Sequence, residues 1–313
     1  MPKPHPLRLT LTAGLLVLFG LALFAATHGS HPQPPPALAP ASPLPEAAYP
    51  WPRAAAYEPL AQRLPPPPGF TRLPVVSASW GEWLRYLPLK PPGSAVLSFQ
   101  AKIIRPGDAS DIAAVVDLDV RKRQECADTL MRLRAEYLLW ANRGDEVIFP
   151  QPPHGPAISW PSWQQGFRPK LQGGQMRFAR TNPTGTSREA FDHYLNCVFT
   201  WCDTDTLVAA SRRVKPTDIQ VGDFFVQGEK RQRNGHAALI VDLARDASGA
   251  TIALIVQGHQ PAQSAQVPSD PTRGPWVSLT PGAPVKIPGS RTFSWQDLRR
   301  FRDKPAPAVP PSS

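Results

Sequence analysis

Cys126 stands in the stretch Gln124-Glu125-Cys126-Ala127-Asp128, directly ahead of Leu130, Leu133, Tyr137 and Trp140, which recur at helical spacing. A cysteine that opens a helix meets the partial positive charge of that terminus, which favours the thiolate and therefore a nucleophile. Gly235-His236 opens an apolar run, Ala237 to Val241, of the kind that forms a buried strand. An imidazole at that strand's start can reach the sulfur if the cysteine helix packs on the sheet. Gln257 closes the next strand-like run and His259 follows two residues later, so either is a candidate for orienting the His236 ring. Cys126 as nucleophile, His236 as base and then acid, and Gln257 or His259 as orienting group suit hydrolysis of an amide or acyl bond.

Each of these residues also has a plain structural explanation. Cysteine in a helix is usually a small core residue, and glycine-histidine is common in turns. The order of the three is what argues for chemistry. Asp128 argues the other way, because a carboxylate close to the sulfur opposes a thiolate and suits a binding cleft without catalysis. A metal site built from Cys126, His236 and His259 has suitable ligand types but no recognised zinc spacing, so no metal or cofactor is expected. Asp117 and Asp119 alternate on a strand-like run with both side chains on one face, and read as a solvent-facing edge or as salt-bridge partners of Arg121 and Arg123 rather than as a polar cleft wall or a catalytic acid.

The elements that must position these groups follow from the apolar pattern. Trp80 to Leu87 reads as a short amphipathic helix, and Ala95 to Ile104 and Ala113 to Val120 as strands. The region 142–183 is loop-like, with Trp160, Trp163 and Phe167 anchoring a short helical turn. A second long helix, with Thr186 and Glu189 as a capping-box pair, presents Phe191, Tyr194, Leu195, Val198, Phe199 and Cys202 on one face. Cys197 and Cys202 point in different directions, so they are read as packing residues and not as a disulfide. Strands at 223–227, 237–242 and 251–257 are expected to be antiparallel neighbours, extended by 276–279 and 284–287. A closing helix is expected near Ser294 to Phe301.

Around this domain (69–302) the sequence changes character. Lys3 and Arg8 precede an apolar run from Leu9 to Ala26, the pattern of an export signal over residues 1–29, either cleaved or kept as a membrane anchor. Residues 30–68 are rich in proline and alanine and read as a semi-rigid spacer, and 303–313 as a disordered proline-rich tail. A periplasmic or membrane-anchored location follows. The chain carries 34 Lys and Arg against 24 Asp and Glu, a net charge of +10, which suits an anionic envelope polymer or peptide substrate. The basic residues are scattered and no nucleic-acid-binding signature accompanies them, so nucleic acid is not an expected partner.

Three blocks, residues 124–138 around Cys126, Gly235 to Asp242, and Gln257 to Gln263, resemble the bacterial DUF4846 family, over roughly Gly69 to Trp276. A more distant resemblance is to NlpC-type peptidases of the papain-like superfamily, matched in order by Cys126, Gly222-Asp223, His236 and Gln257. That resemblance implies an α+β, papain-like/NlpC-like fold with an antiparallel sheet packed on helices and the nucleophilic cysteine at a helix N-terminus. It also implies attack by Cys126 on a peptide carbonyl, with His236 moving the proton. The chain departs from that motif at Glu125 and Ala127-Asp128, which flank the cysteine, and at Gln257, where the usual residue is histidine.

Overall fold

The computed structural model describes residues 44, 46–52, 56–151, 155–228 and 235–303. By its internal contacts the chain divides into units 1–39 and 40–313, and the elements below belong to the second. The expected export signal, the spacer up to residue 43 and the tail from residue 304 lie outside the described residues. Among the described residues no helix is long and apolar enough to cross a membrane.

The helices are α1 (Leu60–Arg63), α2 (Trp80–Arg85), α3 (Cys126–Trp140), α4 (Trp160–Gln164), α5 (Arg188–Trp201) and α6 (Thr204–Ala209). The strands run β1 (Thr71–Arg72), β2 (Val96–Leu97), β3 (Ile103–Arg105), β4 (Ile112–Val115), β5 (Ile148–Gln151), β6 (Gly155–Ser159), β7 (Phe167–Gln172), β8 (Gln175–Arg180), β9 (Ser211–Arg213), β10 (Phe224–Gln227), β11 (His236–Arg245), β12 (Thr251–Val256), β13 (Gln266–Pro268), β14 (Val277–Leu279), β15 (Val285–Lys286), β16 (Thr292–Phe293) and β17 (Leu298–Phe301).

One antiparallel sheet carries the molecule, in the order β14-β12-β11-β10-β17-β9, with β1 paired to the far end of β11. β11 is buried from His236 to Ala244, because both faces of the sheet are covered. Ala237, Leu239 and Val241 face the core that contains α3, and Ala238 and Ile240 face a second core closed by Val285, Ile287 and Phe293. Strict alternation between two apolar layers explains the unbroken apolar run.

The papain-like/NlpC-like α+β fold expected from the distant resemblance is overturned. The described architecture is mostly antiparallel sheet with short helices, 32% strand against 25% helix, and five further two-stranded ladders stand apart from the main sheet. Proline and turn residues cut the central region into hairpins, so strand takes up chain where the expected fold has loop and helix. The expected strand 95–104 folds back on itself as β2 and β3, and the region read as loop forms the hairpins β5-β6 and β7-β8. The expected closing helix is a 3-10 turn at Trp295–Asp297 followed by β17, which enters the sheet beside β10. Pro284 to Ile287 pairs with β16 and not with the main sheet.

Part of the stretch read as spacer is core. Tyr49, Trp51 and Leu60 are buried. The Trp51 Nε1–H donates to the Asp117 carbonyl at 2.6 Å, and the Tyr49 hydroxyl to the Trp83 carbonyl at 2.9 Å.

Candidate functional site

α3 begins at Cys126, and its first thirteen residues are all buried, the charged ones included. Arg132 donates to Gln124 Oε1 at 2.5 Å and to the carbonyl and carboxylate of Asp119. Glu136, fully buried, accepts both prongs of Arg188 at 2.7 Å. These pairs let a helix with charged positions occupy the interior, and they fix its rotation and therefore the direction of the thiol. Asp119 also pairs with Arg121 as expected, while its bond to Arg132 was not foreseen. Asp117 is buried and lies beyond the end of β4, so the two aspartates do not share a strand face.

The start of α3 meets the sheet where β12 ends. Gly258 makes this approach possible: a Cβ there would stand 2.6 Å from Thr129 Oγ1 and 3.2 Å from the Glu125 carbonyl oxygen. Gln257 and His259, on either side of Gly258 in the chain, are thereby carried close to the cysteine turn. Gly235 plays a similar part before β11, since a Cβ there would fall 2.0 Å from Thr204 Oγ1. The backbone amides of Ala237 and Ala127 act on the Cys126 sulfur, each lowering the pKa of the thiol. The thiol therefore sits beside the residue that follows His236.

His236, 6% exposed, is held at Nε2 by Gln257 Oε1 at 3.0 Å and Ser290 Oγ at 3.0 Å. An amide oxygen only accepts, so Nε2 carries the proton and Nδ1 keeps its lone pair. The ring stacks on His259, with centroids 5.2 Å apart, and on Phe293 at 6.1 Å. Cys126, His236, His259 and Ser290 all line one cavity of about 760 Å3, together with Asp128, Thr204 and Arg291. Gln257 does not face it; it supports His236 from a neighbouring cavity of about 150 Å3. Two buried oxygens at the main cavity, Asp128 Oδ1 and Thr204 Oγ1, have no hydrogen-bond partner among the described residues. Among those residues no group of three or more His, Cys, Asp or Glu is arranged to hold a metal ion.

Burial sets the electrostatics. It pushes the Cys126 thiol up to about 11, against the two amide hydrogen bonds and with help from Asp128 and Glu125. It also lowers His236 below its usual 6.5, opposed by the Gln257 hydrogen bond and reinforced by Arg291. His259 falls to about 4 through burial and the neighbouring His236 and Arg105. Burial thus favours a neutral thiol beside a neutral imidazole and works against the thiolate that the helix terminus favours.

The structure thus brings Cys126, His236 and His259 to one cavity and joins Gln257 to His236. Of the two orienting candidates, Gln257 holds the ring by hydrogen bond and His259 stacks on it. Ser290 and Arg291 were missed, because they sit at the turn between β15 and β16, with no periodic pattern and far from the other groups in sequence. Cys202 is at the end of α5, where Gln151 Nε2 contacts its sulfur at 2.9 Å, and all three cysteines are free. The α5 cap is Ser187, which accepts from the Ala190 amide at 3.1 Å, in place of the expected Thr186 and Glu189 pair.

A family model described as "Domain of unknown function (4846)" matches residues 60–300, well over half of the chain. The chain belongs to the DUF4846 family. The match spans every element from α1 to β17 and so includes the whole cavity. No curated protein and no solved structure matches, so the distant likeness to NlpC-type peptidases has no structural neighbour behind it. For a DUF4846 domain the reading of function rests on the chemistry of its own side chains.

Proposed function

We propose that this DUF4846 domain is a cysteine hydrolase acting on an amide or acyl bond of an envelope peptide or polymer. The observation that carries the reading is a buried thiol and an oriented imidazole on one polar cavity, with His236 Nε2 held by Gln257. His236 Nδ1 is then the base. It takes the Cys126 proton as the sulfur attacks the carbonyl carbon, and Nε2–H passes charge onto Gln257 and Ser290 without leaving the ring. The Cys126 amide, at the first helical position, has no intrahelical acceptor and would donate to the developing oxyanion. The imidazolium then returns its proton to the leaving group, and water releases the acyl group by the same route in reverse. The two unpartnered oxygens of Asp128 and Thr204 would meet polar atoms of the substrate beside the reacting bond. The export pattern at 1–29 would deliver the domain to its substrate outside the cytoplasm.

A second reading, a binding module without catalysis, is favoured by the height of the thiol pKa and by the unpartnered Asp128. The two are separated by an acyl-transfer test with p-nitrophenyl acetate. Intact-mass and peptide analysis should find acetyl on Cys126 and not on Cys197 or Cys202, with the rate lost in His236→Ala. Because His236 must be neutral to act, the rate should rise with pH through a single limb below 6.5 and stay flat until the thiol itself ionises near 11. Acetylation that is absent, or unchanged by His236→Ala, makes the domain a binding module.

A further inference from the structure

Arg134 lies eight residues along α3 from Cys126, roughly 12 Å at the helical rise, and faces a different cavity. The residue is 6% exposed. The guanidinium stands 5.5 Å from the ring centroid of each of Trp80, Tyr137 and Phe301. It makes no hydrogen bond and no ion pair among the described residues. The two other arginines on the same cavity are matched, Arg143 with Glu146 and Arg300 with Asp223. Burial presses Arg134 down to about 10, with Arg143 adding to the effect and Tyr137, Asp303 and Glu146 opposing it.

A guanidinium enclosed in this way is costly unless something shares its charge. Three ring faces offset part of that cost, but they leave its N–H donors unused. The cavity that Arg134 lines is about 400 Å3 and is walled by Val75, Val76, Trp80 and Val221, with the paired Arg143 and Arg300 also on its lining. Asp223 and Asp303 line it too, the first engaged by Arg300 and the second exposed to solvent. Val76 is 77% exposed, an apolar side chain open to solvent at this cavity. We propose that the cavity binds a small organic anion, whose carboxylate or phosphate pairs with the two-pronged guanidinium of Arg134 while its apolar part lies on Val75, Val76, Trp80 and Val221. Planar oxyanion recognition of this kind is what arginine provides and lysine does not. The volume exceeds what a bare oxyanion fills, which is why an apolar portion is part of the ligand.

The site is separate from the Cys126 cavity, and its test does not depend on the hydrolase reading. Calorimetric titration of the full chain with phenyl phosphate and with benzoate, against inorganic phosphate and acetate, identifies both the head group and the apolar contribution. The aromatic anions are expected to bind one per chain and tighter than the bare ions. Arg134→Met should weaken that binding at least ~10-fold, with a melting midpoint no lower than wild type when no anion is present. If Arg134→Met does not fold, Arg134→Lys, which keeps the charge over the rings but not the fork, must show the same loss. The inference is overturned if none of the four anions binds, or if binding survives either substitution unchanged.

Discussion

A thiol in the first turn of a helix feels two opposing influences, and in this domain burial outweighs the helix terminus. The helix terminus is worth on the order of 1 kcal/mol, whereas removal from water places the Cys126 thiol near 11 despite two amide hydrogen bonds. The sequence displays the cysteine and the helix start; it does not display that the turn is buried, and burial is what opposes the thiolate. Asp128 shows the same balance with a carboxyl group. It is 5% exposed, accepts from the Glu125 amide through Oδ2 at 3.0 Å, and leaves Oδ1 unpartnered. Burial raises its pKa well above the usual carboxylate value. A group whose folded pKa is raised binds a proton more readily when folded, so its unfavourable effect on stability grows as pH rises above the unfolded value of about 3.9. Asp128→Asn keeps an acceptor for Glu125 and has no proton to lose. Its melting midpoint should match wild type near pH 4 and exceed it by pH 7 to 8. A variant less stable than wild type at pH 8 would mean that the carboxylate is ionised and stabilising in place.

At the scale of elements, the groups of the site come together because two glycines permit close approach. The strands β11 and β12 are legible as apolar runs, and α3 as a helical period, so the sequence exposes the parts that carry Cys126, His236 and Gln257. It does not expose their junction, because nothing in the residues around Gly258 reveals that Thr129 and the Glu125 carbonyl lie against it. Nor does it expose β17, whose Leu298 and Phe301 read equally well as helix until the strand finds its place between β10 and β9. Gly258→Ala puts a methyl group 2.6 Å from Thr129 Oγ1 and 3.2 Å from backbone at Glu125. The hydroxyl can turn away but the carbonyl cannot, so the end of β12 must shift. A loss of about 1–3 kcal/mol in denaturant unfolding is expected. Any Cys126 acetylation should fall more than stability alone explains, because Gln257 moves away from His236. The double change Gly258→Ala with Thr129→Ala should restore part of the stability; full recovery of both would assign the effect to the hydroxyl alone.

Across the whole molecule, residues distant in sequence are tied by a buried charge cluster that no local pattern announces. Asp242 is fully buried at the irregularity of β11 between Ile240 and Asp242. It accepts from Arg72 Nε at 2.6 Å, Arg85 Nε at 2.8 Å and the Leu243 amide at 2.9 Å. Arg72 reaches on to the carbonyls of Ala61 and Leu64, and Arg85 to that of Leu73. One carboxylate thus binds the end of the proline-rich stretch, β1 and α2 to the central strand. This is the contact that draws residues 60–72 into the fold, with the aromatic group of Tyr49, Trp51 and Trp83 beside it. Proline and alanine spacing gives the spacer reading locally, and only partners well outside the stretch reverse it, from Trp83 and Asp117 to Asp242. Removing the carboxylate alone leaves the buried guanidinium of Arg85 and the half-buried one of Arg72 uncompensated, so Asp242→Asn should cost about 3–5 kcal/mol in equilibrium unfolding. Replacing all three with apolar side chains of similar size, Arg72→Met, Arg85→Met and Asp242→Leu, should recover most of that loss, because no charge remains to be desolvated. If the cluster also sets the register of β1 on β11, the triple variant will be stable yet show early proteolysis in residues 60–75, where the wild-type chain is protected. Equal protection in both would assign the hold on this segment to its other contacts, the backbone pairing of β1 with β11 and the bond from Trp276 Nε1 to the Pro65 carbonyl among them.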